Sequence, residues 1–338
     1  MKRYGQLSLY FAILLSLALA LELSGCGDNG ADERGVEIAT ATRFESGRAR
    51  IANSKAQAGE KGENNVNYSV RLPAPLDYSA PGPFNDAVMV RNAGPGNDYT
   101  LFRPGASLGS GGFKHPIVSW GNGIVTTPEA YETTLTLVAT HGFVVIASNS
   151  RKPEEPALSA GLDWLVRQNS SSGELNGHLD TSREATVGYS WGAGAAIDAA
   201  HRPNVRCTVS LQGMPPRSAQ AFNKMHGPLL LITSTEDRLV SPSRYVTPTF
   251  NNSKVPTFYA TLDELYARHL YIVDEGSFYC VASVFLGNCM SARRARAPLI
   301  AWLRLWIYEE DEARSFFYGD DCVLCNRPWT NPRRKHWR

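Results

Sequence analysis

Short, continuous apolar runs alternate with helical patterns over most of the chain. Ile117-Val118-Ser119-Trp120, Phe143 to Ala147, Ala185 to Val187, Cys207 to Leu211, Pro228 to Thr233 and Thr257 to Leu262 each read as a strand, and runs this continuous fit strands buried on both faces. Between them, Thr127 to Thr140, Pro156 to Gln168 and Gly192 to Ala200 place apolar or small residues at helical spacing, and Ala295 to about Tyr308 predicts a long closing helix. Upstream, Ala87 to Arg91 and Tyr99 to Phe102 flank Gly94-Pro95-Gly96-Asn97, the pattern of an antiparallel hairpin. A hairpin followed by β-α repeats predicts the α/β class: a mostly parallel central sheet, an N-terminal antiparallel hairpin and helices on both faces.

The two ends break this pattern. Lys2 and Arg3 followed by an apolar stretch from Leu7 to Leu21 read as a signal peptide over residues 1–25, and the run is shorter than the ~20 apolar residues of a membrane span. Leu23-Ser24-Gly25-Cys26 resembles a bacterial lipobox, which implies cleavage before Cys26, lipid attachment to its thiol and a place in the cell envelope. Residues 26–65 carry too few apolar positions at either period to bury anything and read as a flexible tether. Residues 66–330 have the length of one large domain, and the basic residues 331–338 read as a solvated tail.

Composition narrows the partners. Of 338 residues 43% are apolar, which suits a substantial core, and the formal net charge of +2 implies no large basic patch and hence no nucleic-acid partner. Five cysteines follow Cys26. In an oxidising envelope, Cys280 with Cys289 and Cys322 with Cys325 are the favoured local pairs among three possible connectivities, with Cys207 buried in a strand. Cys322-x-x-Cys325 lacks a second ligand pair, so no metal is expected.

The candidate chemistry lies in Ala185-Thr186-Val187-Gly188-Tyr189-Ser190-Trp191-Gly192-Ala193-Gly194. A short β-branched strand, a tight Gly-x-Ser-x-Gly turn and a run of small residues opening a helix form a nucleophile elbow, which exposes Ser190 at a strand-to-helix corner. A second Gly-x-Ser-x-Gly, around Ser107, follows Arg103-Pro104 and leads into Ser110-Gly111-Gly112; it has no helix behind it and reads as loop. A serine hydroxyl needs a base, and the base needs an acid partner to fix its tautomer. The intermediate oxyanion needs two backbone N–H groups, one from the residue after the nucleophile, Trp191.

An elbow near the middle of a β-α series resembles the α/β-hydrolase fold over about residues 70–328. The closer likeness is to the bacterial branch of dienelactone hydrolases, cutinase-like polyester hydrolases and chlorophyllase-like esterases. It rests on His115-Pro116-Ile117-Val118-Ser119-Trp120-Gly121-Asn122-Gly123, His141-Gly142-Phe143-Val144-Val145, Gly188 to Gly192, Ala301-Trp302-Leu303-Arg304 and Phe316 to Cys322. The resemblance implies a cofactor-independent serine ester hydrolase with the order Ser, acid, His. It places the base on His269 rather than His336, although Ala267-Arg268 replaces the small-residue-Ser-His pattern common in the branch. It places the acid on Asp237, with Glu236 and Asp263 as alternatives, and the second oxyanion N–H on Ile124, with Asn122 next. Ile124, Trp191 and Met214 would line the substrate cleft. Family members acting on polyesters often carry aromatic residues where Ile124 and Met214-Pro215-Pro216 stand, and no lid-sized insertion is visible, so short-chain or small aromatic esters are expected. A non-catalytic surface lipoprotein, or the same triad on polyesters, thioesters or amides, stands as the alternative.

Overall fold

The computed structural model describes residues 72, 74–75, 77–274, 277 and 292–337. The leader, the tether, the lipidation expectation at Cys26 and the pairing of Cys280 with Cys289 lie outside the described residues.

Nine strands form one sheet in the order β1-β2-β4-β3-β5-β6-β7-β8-β9. The hairpin is β1 (Val88–Ala93) and β2 (Tyr99–Arg103), and β2 runs antiparallel to β4 (Val144–Ser148). From β4 through β3 (His115–Gly121), β5 (Leu179–Tyr189), β6 (Val205–Leu211), β7 (Leu229–Ser234) and β8 (Thr257–Leu262) every pairing is parallel. Among the described residues the helices are α1 (Glu132–Thr140), α2 (Glu155–Gln168), α3 (Trp191–Ala199), the short α4 (Ala221–Lys224) and α5 (Thr247–Asn252), and α6 (Ala292–Ile307).

The parallel strands are apolar at successive positions because both faces are covered. Along β3, Val118 and Trp120 join the core under α1 and α6, while Ile117 packs with Leu162 and Leu165 of α2. Along β7, Leu230 and Ile232 share the first core, and Leu229 and Leu231 face Ile197 of α3 and Val246 on the other side. Alternation between two cores within one apolar run is what a doubly covered sheet requires. This is the α/β-hydrolase fold with its N-terminal hairpin and helices on both faces.

Two expectations are corrected. Residues 331–335 are not a solvated tail: β9 (Trp329–Lys335) pairs antiparallel with β8 and closes that edge of the sheet. Its outward residues are polar because the strand has a free edge, and its basic side chains lie over the rings of Tyr259, Phe258 and Phe250. β5 also begins at Leu179, well before Ala185. Cys322 and Cys325 are joined in a disulfide, and Cys207 is a buried free thiol within β6. Among the described residues, no helix is long and apolar enough to cross a membrane.

Candidate active site

Ser190 follows β5 directly and caps α3 with φ 53° and ψ −115°. A non-glycine residue held at positive φ costs on the order of 1–3 kcal/mol and needs surroundings that enforce it. The flanking glycines supply them. A Cβ on Gly188 would stand 2.2 Å from the carbonyl oxygen of Gly192, and a Cβ on Gly192 would stand 2.2 Å from the carbonyl group of Gly121 at the end of β3. Only glycine lets the elbow close this tightly on β3. The Ser190 N–H donates to the Leu211 carbonyl at 2.9 Å, and the Gly192 N–H donates to the Asn122 carbonyl at 3.0 Å. The small residues of α3, Ala193, Ala195, Ala196 and Ala199, are fully buried, which keeps that helix close to the sheet.

The loop after β3 packs against this corner. Tyr131 Oη accepts from the Gly123 N–H at 3.3 Å and shares a 2.8 Å hydrogen bond with Thr126 Oγ1. The side chain of Asn122 is fully buried: its amide donates to the carbonyls of Ser148 and Ser150, and its oxygen accepts from Trp120 Nε1 at 2.9 Å. Asn122 thus anchors the loop. No described residue accepts a hydrogen bond from the N–H of Ile124 or of Trp191. On the other side, the Met214 N–H donates to the Ser190 carbonyl at 3.0 Å, which seats Met214 beside the serine.

The structure brings three of the expected side chains together. His269 Nε2 is 2.9 Å from Ser190 Oγ, and its Nδ1 is 2.8 Å from Asp237 Oδ2. All three are buried, with His269 8% exposed and Asp237 2%. The other oxygen of Asp237 accepts the N–H groups of Leu239 and Val240 at 3.0 and 2.8 Å, fixing the carboxylate in a turn after β7. A carboxylate facing Nδ1 places the proton there and leaves the Nε2 lone pair toward the serine. Glu236 and Asp263 do not take this place; Asp263 accepts from Thr235 Oγ1 at 3.0 Å. Ser107 lies in a turn bonded to Asp86.

The loop carrying His269 is held by residues that sequence reading missed. Tyr189 Oη donates to the His269 carbonyl at 2.8 Å. The fully buried Gln212 donates to Ser234 Oγ at 2.9 Å and to the Arg268 carbonyl at 3.4 Å, and Ser234 Oγ donates to the Ala267 carbonyl. Farther along, Asp274 accepts from the Thr133 N–H at 2.6 Å and pairs with Arg296 at 2.8 Å. Burial pushes the phenols of Tyr189 and Tyr271 well up, so both stay neutral beside the Asp237 carboxylate. The signal available in sequence was only that Tyr189 sits inside the elbow motif.

A family model described as PET hydrolase-like matches residues 110–329, a span that contains all three side chains. Cutinase est2 of Thermobifida alba is 30% identical over 139 residues, 39% of this chain and 45% of that protein. Cutinase cut1 of Thermobifida fusca is 27% identical over 218 residues, covering 58% of this chain and 67% of its own length. Lipase 1 of Moraxella sp. (strain TA144) is 24% identical over 191 residues, 54% of this chain and 53% of that protein. The chain spans about half the length of the first of these relatives. With the matched span covering most of the α/β domain, the chain belongs to the PET hydrolase-like family.

Proposed function

We propose that this protein is a serine carboxylic-ester hydrolase working through an acyl-enzyme on Ser190, with His269 as base and Asp237 as its partner. The observation that carries the reading is the pair of hydrogen bonds on His269, 2.9 Å to Ser190 Oγ and 2.8 Å to Asp237. Ser190 Oγ attacks the ester carbonyl carbon as its proton passes to His269 Nε2, and the carbonyl oxygen becomes an oxyanion held by the N–H groups of Trp191 and Ile124. Collapse breaks the bond to the alkoxy group, which leaves as the alcohol with the proton from Nε2. Water then attacks the acyl-enzyme, yields a proton to His269, and the acid departs as that proton returns to Ser190. One oxyanion donor is worth about 2.7–4 kcal/mol in the transition state.

The acyl group is short-chain or small aromatic, since Ile124 and Met214 stand where aromatic clamps would serve a polymer, with Trp191 as an apolar wall of the cleft. The same machinery on polyesters is the second reading, favoured by the PET hydrolase-like family match. The working place is the cell envelope, with the lipid on Cys26 as membrane anchor; a Cys26→Ser protein is expected to leave the membrane fraction of a bacterial host.

Hydrolysis of p-nitrophenyl butyrate by the full chain, beside its Ser190→Ala variant, tests the reaction. Loss of the nucleophile is expected to lower kcat by about 10⁶-fold. Equal rates in parent and variant, or no turnover by folded parent protein, would overturn the proposal.

A further inference from the structure

The hydrolytic steps leave unused two cations that stand over the ring of Trp191, the residue that follows Ser190. Lys152 Nζ lies 4.7 Å and the guanidinium carbon of Arg217 lies 3.7 Å from the ring centroid. They come from different segments, and each segment is tied to the catalytic corner. The Arg151 carbonyl accepts the Val125 N–H at 2.7 Å, so Lys152 rides on the strand of chain that braces the loop after β3. The N–H groups of Arg217 and Ser218 donate to the carboxylate of Asp198 on α3 at 2.8 and 3.0 Å, so Arg217 rides on the helix that Ser190 caps.

An indole attracts a cation through its ring face, which leaves the edge donors of the guanidinium and the ammonium N–H groups free for another acceptor. The acidic groups facing them are few. Glu154 Oε1 is 3.9 Å from Arg217 Nε with its side chain half exposed, and both oxygens of Asp198 already accept backbone N–H groups. Lys152 forms no ion pair with a described residue. Arg217 keeps 32% of its side chain exposed, so its guanidinium is open to an anionic group from solution.

We propose that Lys152 and Arg217 select esters bearing a second, ionised carboxylate, that is, half-esters of dicarboxylic acids, held on the Trp191 side while the ester carbonyl sits at Ser190. This specificity rests on the esterase reading above.

The test compares kcat/KM of the full chain for monoethyl adipate and diethyl adipate. The half-ester is expected to be favoured about tenfold at low salt, the low end of what a focused field gives. Lys152→Gln and Arg217→Gln should each lower the half-ester to diester ratio about threefold or more. Raising NaCl to about 0.5 M, where screening acts within a few ångströms, should compress the ratio in the parent. Arg167→Gln, the same charge change on the exposed side of α2, should leave the ratio where it was. A parent ratio of one or less, or a ratio unmoved in both Lys152 and Arg217 variants while the diester is still hydrolysed, overturns the inference and spares the esterase reading. Failure to hydrolyse either adipate or p-nitrophenyl butyrate overturns both.

Discussion

His269 and His115 stand at opposite ends of the parallel strands, and each is hydrogen-bonded through both ring nitrogens. His115 opens β3 between the rings of Phe84 and Phe113. Its Nδ1–H donates to the Gly142 carbonyl at 2.7 Å, and its Nε2 accepts the Gly109 N–H at 3.0 Å. That pair of partners fits one neutral tautomer, because a second proton on Nε2 would point at an N–H. Burial accordingly pushes His115 down to about 4. His141 is built alike, with Nε2 donating to the Ala80 carbonyl at 3.0 Å and Nδ1 facing the Arg304 guanidinium, and burial pushes it down to about 4. His269 is also buried, yet its Nδ1 meets a carboxylate and its Nε2 meets a hydroxyl that can turn from donor to acceptor. Burial therefore does not distinguish a structural histidine from a candidate base. The charge at Nδ1 and the reversibility of the partner at Nε2 do.

The comparison breaks most severely at Asp237. Asp237→Asn can present an amide N–H to His269 Nδ1, which moves the ring proton to Nε2 and aims it at the serine. A loss of about 10⁴-fold in kcat is expected with the fold retained. Turnover of p-nitrophenyl butyrate beside circular dichroism checks it, and a loss under tenfold would mean that the carboxylate does not set the tautomer.

A smaller effect, on stability alone, belongs to the other end of the sheet. With folded values near 4 against the ordinary 6.5, the unfolded chain binds more protons than the folded one between those values. The stabilisation is therefore complete above about pH 6.5 and drains away as pH falls toward 4, by at most roughly 3 kcal/mol for each histidine. His115→Gln is expected to lower Tm at pH 8 by about 4–8 °C, from about 2 kcal/mol of lost hydrogen bonding. It should also flatten the fall in Tm between pH 6.5 and 4, while ester turnover at pH 8 stays near the parent's. Thermal melts across that range, with parent and variant curves remaining parallel, would count against the buried neutral ring.

The elements that positioned Ser190 were legible because their physics is local. Doubly covered strands read as apolar runs, and the elbow needs glycines at fixed offsets for a steric reason visible in the 2.2 Å approaches at Gly188 and Gly192. The start of β5 was not legible. Asp180 to Glu184 is polar, and Glu184 is buried only because Arg202 reaches it at 2.7 Å from another element. β9 was hidden for a related reason: an edge strand with a free side carries Arg333, Arg334 and Lys335, and the same residues describe a solvated tail. Gln212 and Ser234 look like ordinary strand-end polar residues until β6, β7 and the His269 loop are brought together. Lys152 and Arg217 lie far from Trp191 in sequence, so their place over its ring is a property of the fold.

The finest distinction the comparison allows is between holding His269 and taking part in its chemistry. Tyr189 Oη reaches the His269 carbonyl, not the ring, and the loop is held independently by Gln212 at the Arg268 carbonyl and Ser234 at the Ala267 carbonyl. Removing one of three anchors should loosen the imidazole without displacing it. Tyr189→Phe is expected to cost about 1 kcal/mol of stability and a three- to tenfold loss in kcat, with KM and the shape of the pH–rate profile unchanged. A positioning role predicts that pattern because the proton path from Ser190 to Nε2 contains no phenol. A shifted pH profile, or a loss beyond a hundredfold, would place the Tyr189 hydroxyl in the reaction itself and leave Gln212 and Ser234 as the holding residues.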